Sequence, residues 1–180
     1  SELAIALTTD ETGRLTRKHA GSFEAYDLFL RARQESWIIK KESDLRVIEM
    51  CRQVIDLDPN FVGGYFYLSY MLSRGIRFGW SGSPKEDLEK AFELAQKAIS
   101  VDDKYPSSYT ALASVYLMQG KHDDALAAMN TGVSLAPSMD MMWLWLGVYL
   151  HWVGRGEEAV AAVKKGMELN PMYLQGRNPL

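Results

Sequence analysis

One cysteine in 180 residues, Cys51, leaves no internal disulfide to be made. It falls within an apolar helical pattern and reads as a small buried hydrophobe, compatible with a reducing compartment. Histidine is scarce too. His19, His122 and His151 stand far apart, none four residues from another and none beside the cysteine, so no metal site is indicated. No run of about 18 apolar residues occurs, so nothing here spans a bilayer. Basic residues are not clustered and the formal net charge is −3, which gives no nucleic-acid footprint. No signal peptide precedes Ser1, and the missing initiator methionine implies a fragment or a processed chain.

Catalytic patterns are missing as well. Asp123-Asp124 and Glu157-Glu158 look like paired carboxylates, but each pair opens a helix, where negative charge meets the positive end of the dipole. Catalytic carboxylates would have to face each other across a cleft. Gly79-Trp80-Ser81-Gly82-Ser83 precedes a helix N-terminus, yet lacks the glycine spacing and the lysine-serine end of a phosphate loop. It reads as a connecting loop, with Trp80 packing back on its own hairpin or else touching a partner. No nucleophile, base and orienter converge, so no catalytic, cofactor-binding or metal-ligating residue is assigned and the chain is read as no enzyme.

What the sequence has is a repeat. Tyr109, Leu112, Ala113, Tyr116, Gly120, Ala125, Met129, Gly132 and Pro137 recur 34 residues on as Trp143, Leu146, Gly147, Leu150, Gly154, Ala159, Val163, Gly166 and Pro171. A fixed period of this size marks stacked helical hairpins. The slots have physical reasons. The aromatic wedges between neighbouring hairpins, and Ala113, Gly147, Ala125 and Ala159 let paired helices approach. Gly120 and Gly154 supply the left-handed turn after the first helix, and Pro137 and Pro171 stop the second. The pattern strongly resembles the tetratricopeptide repeat. The fold expected is all-α, a right-handed α-solenoid of about four such hairpins.

In chain order, residues 1–21 form a leading segment with a short helix behind a Thr8–Glu11 capping box. The array occupies 22–180, in units of about 22–60, 61–104, 105–138 and 139–171 plus a short tail. Ser22 caps the first helix, which is expected to run to about Lys40, with its partner starting near Ser43. The second unit carries about ten extra residues, assigned to a Gly/Ser-rich insert with Gly75, Gly79, Trp80, Ser81, Gly82 and Ser83. Ser83-Pro84-Lys85-Glu86 reads as a second capping box, so that helix starts at 84 and ends near Val101, with Ala91 as its small packing residue. No solvating end helix follows Pro171, so the native chain is expected to continue or to be covered there by another subunit.

A second resemblance lies in residues 16–33. Ser22-Phe23-Glu24-Ala25-Tyr26-Asp27-Leu28-Phe29-Leu30-Arg31-Ala32-Arg33 looks like the opening of tetratricopeptide regions that follow bacterial class III adenylate cyclase domains, with Ala32 where glycine is usual. The long second hairpin, with Gly79-Trp80 and Ser83-Pro84, fits that group. Transcriptional regulators with such repeats share the arrangement. No cyclase catalytic motif is present, so no catalytic residue carries over. The resemblance implies the non-catalytic scaffold region of a larger, cytoplasmic bacterial signalling protein.

First helices should line a concave face that takes a protein or peptide. Phasing from Tyr65, Tyr109 and Trp143 places Gly63, Phe66, Tyr70 and Arg74 there in the second unit. Ser107, Thr110, Ser114, Leu117 and Met118 follow in the third, and Met141, Leu144, Val148, His151 and Trp152 in the fourth. Glu24, Asp27, Arg31 and Glu35 stand at the front. The helix from Met141 is apolar almost all round, which asks for partners on every side. Chaperone-tail binders of the family clamp a terminal carboxylate with lysines and asparagines. Here the matching positions hold Tyr67, Ala111 and Trp145, beside Phe66, Thr110 and Leu144, so an acidic chaperone tail is not expected to bind. The alternatives are a homo-oligomerisation module or the repeat region of a transcriptional regulator.

Overall fold

A computed structural model describes residues 22–171. The leading segment with its Thr8–Glu11 capping box, and the tail after Pro171, lie outside the described residues. Eight helices and no strand occur among the described residues: α1 (Phe23–Glu35), α2 (Lys41–Leu57), α3 (Val62–Arg77), α4 (Pro84–Val101), α5 (Pro106–Met118), α6 (His122–Leu135), α7 (Asp140–Trp152) and α8 (Gly156–Leu169). They pair in sequence as four hairpins. Successive first helices α3 and α5 pack directly on each other, while α4 and α6 each pack on the first helices either side of them. The first helices are thus the inner layer of a solenoid and the second helices the outer one.

Each element has a local cause. Ser22 Oγ accepts from the Ala25 amide at 3.2 Å and so caps α1. That helix stops at Glu35 rather than near Lys40. Ser36 turns its hydroxyl onto Arg33 O at 2.7 Å, and both its hydroxyl and its carbonyl are engaged by α3, through Tyr67 and Arg74. The chain is drawn across to the next hairpin and cannot continue the helix. Gly79, Gly120 and Gly154 follow the first helices of hairpins two, three and four with φ of 69°, 71° and 83°. In this left-handed region a Cβ is costly.

The ten extra residues of the second hairpin are spread differently from the single insert expected. Helix α3 has 16 residues where α5 has 13, and α4 has 18 where α6 has 14. The rest lengthens the loop, and Gly75 lies inside α3. Ser83 sits at the N-cap of α4 but its side chain makes no capping bond. Ser81 takes over: its Oγ accepts from Ser83 N at 3.1 Å and donates to Asp87 Oδ2 at 2.6 Å. Trp80 packs back as expected, stacked on Phe78 with centroids 4.8 Å apart.

The repeated aromatics do more than wedge. Tyr65 Oη, Tyr109 Oη and Trp143 Nε1 each donate to the carbonyl six residues earlier, at Pro59, Asp103 and Pro137, at 2.9, 2.9 and 2.8 Å. Each ties down the turn that brings in its own hairpin, a bond phenylalanine could not make.

Candidate functional site: the concave face of α3, α5 and α7

The register of α7 is set by two glycines. A Cβ on Gly147 would meet Val163 Cγ2 at 2.5 Å and Ala159 O at 3.1 Å. One on Gly166 would meet Leu144 Cγ at 2.9 Å and Asp140 O at 3.0 Å. The stripe Asp140, Leu144, Gly147 therefore lies against α8. Met141, Trp145, Val148 and Trp152, spaced at i, i+4, i+7 and i+11, form the stripe turned toward the inner face. Trp145 meets Tyr70 of α3 edge-on at 5.4 Å, and the Arg77 guanidinium lies 4.6 Å from the Trp152 ring centroid. Helices α3 and α7 thus touch across α5. They can do so because α5 offers only small side chains there: Ala111 and Ser114 are fully buried and Thr110 nearly so.

This arrangement distributes the expected groove residues. Tyr70, Val148 and Trp152 lie together on the inner face, Tyr70 and Val148 half-buried and Trp152 38 % exposed. Met118 is half-buried at the end of α5, and His151 is exposed beside Trp152. Phe66 sits between hairpins, its ring 6.1 Å from Phe29 and 5.4 Å from Tyr105. Leu117 packs against the core of hairpins three and four, and Leu144 is wedged between α7 and α8. Thr110 and Ser114 are buried rather than lining an open groove. Thr110 O accepts from the Tyr149 hydroxyl at 3.1 Å, and Thr110 Oγ1 points at Met142 Sδ at 4.0 Å.

Arg74 is a buried structural residue. Its Nε donates to Asp44 Oδ2 at 2.8 Å, its Nη2 to Asp44 Oδ1, and its Nη1 to Ser36 O at 2.9 Å. Hairpins one and two are joined through this side chain. At the front, Arg46 beside Glu35 holds that carboxyl below its usual range by a direct hydrogen bond.

Two residues matter here beyond the phased groove stripe. Trp145 is an inward clamp position by phase. Arg77 lies outside the phased stripe altogether. It continues the Tyr70–Arg74 stripe by one turn, on the extra turn that makes α3 long, so extending that stripe to the end of the helix would have found it. Its guanidinium lies 5.5 Å from the Phe78 ring centroid and 4.6 Å from that of Trp152. Arg77 Nη1 is buried without a hydrogen-bond acceptor among the described residues. The Tyr149 hydroxyl, which Ser114 neighbours, gives its proton to Thr110 O. An unsatisfied buried donor costs about 1–3 kcal/mol, more when charged. Burial pushes the Tyr149 phenol up, and a hydrogen bond with Ser114 and the positive charge of Arg77 oppose that shift only in part.

Among the described residues no group of three or more His, Cys, Asp or Glu side chains could hold a metal ion. No described helix is long and apolar enough to cross a membrane. Cys51 is fully buried, and burial pushes its thiol up. Near the α4 N-terminus the Asp87 carboxylate accepts a hydrogen bond from Ser81 Oγ.

Residues 94–127 match the tetratricopeptide repeat. Among curated proteins the chain is similar to "Putative adenylate cyclase 3" of Rhizobium meliloti (strain 1021), 28% identical over 123 residues. That match takes in 68% of this chain and 21% of the relative. It is also similar to the mitochondrial import receptor subunit TOM70 of Mus musculus, 26% identical over 132 residues, 73% of this chain and 19% of the relative. The chain thus spans about a fifth of the length of these relatives. Among solved structures, a thermophilic TPR protein of Thermus thermophilus superposes with a TM-score of 0.70 at 20% identity, over 98% of this chain and 94% of that one. MamA superposes with a TM-score of 0.50 at 21% identity, over 84% and 81%. These structures establish the fold.

Proposed function

Starting from a chain that carries a tetratricopeptide repeat and folds as a tetratricopeptide solenoid, we propose that it is a protein-interaction scaffold whose concave face, from Tyr70 to Trp152, holds another polypeptide. The fold supports a role of this kind. The observation that carries the reading is the inner stripe of α7. Met141, Trp145 and Val148 are only half-buried and Trp152 is exposed, although all four are large and apolar. Tyr70 at Trp145 and Arg77 at Trp152 cover that stripe only in part, and a partly water-facing row of this composition is stabilised by a partner.

The parent is read as a larger bacterial signalling protein of adenylate cyclase type. What supports this is the Rhizobium meliloti relative together with the opening Ser22–Arg33, and the chain would be its non-catalytic region. A class III cyclase domain in the reading frame upstream of Ser1 would support that parent. A DNA-binding domain there would transfer the scaffold to a transcriptional regulator.

A second reading puts another copy of the chain on the same stripe. Light scattering over a wide concentration range separates the two. The scaffold reading expects a monomer, with Trp152→Glu leaving mass unchanged. A concentration-independent dimer that Trp152→Glu dissociates would replace it with homo-oligomerisation.

A further inference from the structure

The polar groups on the inner face are nearly all matched from within. Arg74 has Asp44 and Ser36, Tyr67 has Ser36, and Tyr149 has Thr110. Arg77 is different. Its guanidinium carries a full charge beside two aromatic rings, and Nη1 has no acceptor among the described residues. The neighbouring cation, Arg74, is already neutralised by Asp44. Trp152, which lies over Arg77, is the last residue of α7 and 38 % exposed. Arg77 as a whole is half-buried.

We propose that Arg77 receives the carboxylate of a single Asp or Glu side chain of a protein partner, with apolar residues flanking it in that partner lying on Trp145, Val148 and Trp152. The inference rests on the reading of the concave face as a protein-contact surface. The planar, forked guanidinium matches one carboxylate. The Phe78 and Trp152 rings lie within cation–π distance of it. The apolar stripe of α7 begins at once beside it. A run of consecutive carboxylates would not fit, because its further charges would land on Trp145 and Val148 with no cation to meet them. This separates the site from a clamp for an acidic tail.

The test is selection of a random-sequence peptide library on the chain, followed by binding of the selected peptides and their Asp→Asn or Glu→Gln analogues. The expected result is one aligned acidic position between apolar residues, with about tenfold weaker binding of the amide analogue. The Arg77→Met variant should bind peptide and amide analogue alike, and Arg77→Lys should restore part of the difference. Apolar peptides with no acidic position, or an amide analogue that binds wild-type chain as tightly as its acid, would overturn this inference and leave the concave-face reading intact. A library that yields no binder would overturn both. The comparison of acid with amide is made on unaltered protein, so it stands even if Arg77→Met fails to fold.

Discussion

Removal of Asp44 should damage the fold far more than removal of Asp44 together with Arg74. The two side chains are 3% and 8% exposed and meet through two hydrogen bonds, with a third from Arg74 to Ser36 O. Asp44→Ala strands a buried guanidinium with two of its donors unmatched. Breaking a buried pair from one side costs about 3–5 kcal/mol. For a chain of this size each kcal/mol lowers Tm by about 2–4 °C, so the fall should be roughly 6–20 °C. Replacing both partners, Asp44→Leu with Arg74→Met, removes the desolvated charges as well as their attraction. It should stay within about 1–2 kcal/mol of wild type, the residual cost being the lost donor to Ser36 O. The pair links α2 to α3, so the loss falls on the interface between hairpins. In a solenoid that lets the first hairpin melt separately. Urea unfolding followed by circular dichroism should show a broadened or split transition for Asp44→Ala and a single one for the double variant. Added salt should change little, since the pair is shielded from solvent. An Asp44→Ala protein within about 1 kcal/mol of wild type would refute the reasoning. So would a double variant as unstable as the single.

Two further outcomes follow from the same packing. Gly147→Ala should destabilise by about 1–3 kcal/mol, because its methyl would meet Val163 and the Ala159 carbonyl. Gly75→Ala, inside α3 with nothing within 4 Å of the added methyl, should stabilise by about 0.5–1 kcal/mol; chemical denaturation of both variants reads the opposite signs. Alkaline stability should be governed by buried phenols. Burial pushes Tyr67 up to about 12 and raises Tyr149 further, so both stay neutral in the fold after they ionise in the unfolded chain. Their contribution is complete below about pH 10 and is lost as pH rises through the folded values. The slope is at most about 1.4 kcal/mol per pH unit for each phenol. Tyr149→Phe should flatten that decline between about pH 10 and 12, and an unchanged slope would count against it.

Hairpin geometry was legible because it is written in small residues at fixed intervals. Gly120 and Gly154 take positive φ, and Ala91 is fully buried, its carbonyl accepting from Ser69 Oγ at 2.7 Å. Side-chain partnerships separated by about thirty residues were not legible. Arg74 sits on the inner stripe by phase, and only the fold shows that Asp44 reaches it. Phasing from the Trp143 slot shares Met141, Val148 and Trp152 with the inner stripe but also puts Leu144 in the groove, whereas the close approach at Gly147 and Gly166 turns Leu144 onto α8. The extra turn of α3 could not be told from loop sequence, since Gly75 reads as a breaker, and Arg77 was lost with it. The C-terminal limit of α1 was hidden for a tertiary reason, the pull of Tyr67 and Arg74 on Ser36.

Site-specific photo-crosslinking in the native host tests most directly whether this face exists to be covered. A photoreactive phenylalanine at Val148, on the inner stripe, should join the chain to another polypeptide. The same group at Gln96, exposed on the outer helix α4, should not. Adducts from Gln96 alone, or equal adducts from both positions, would contradict the account.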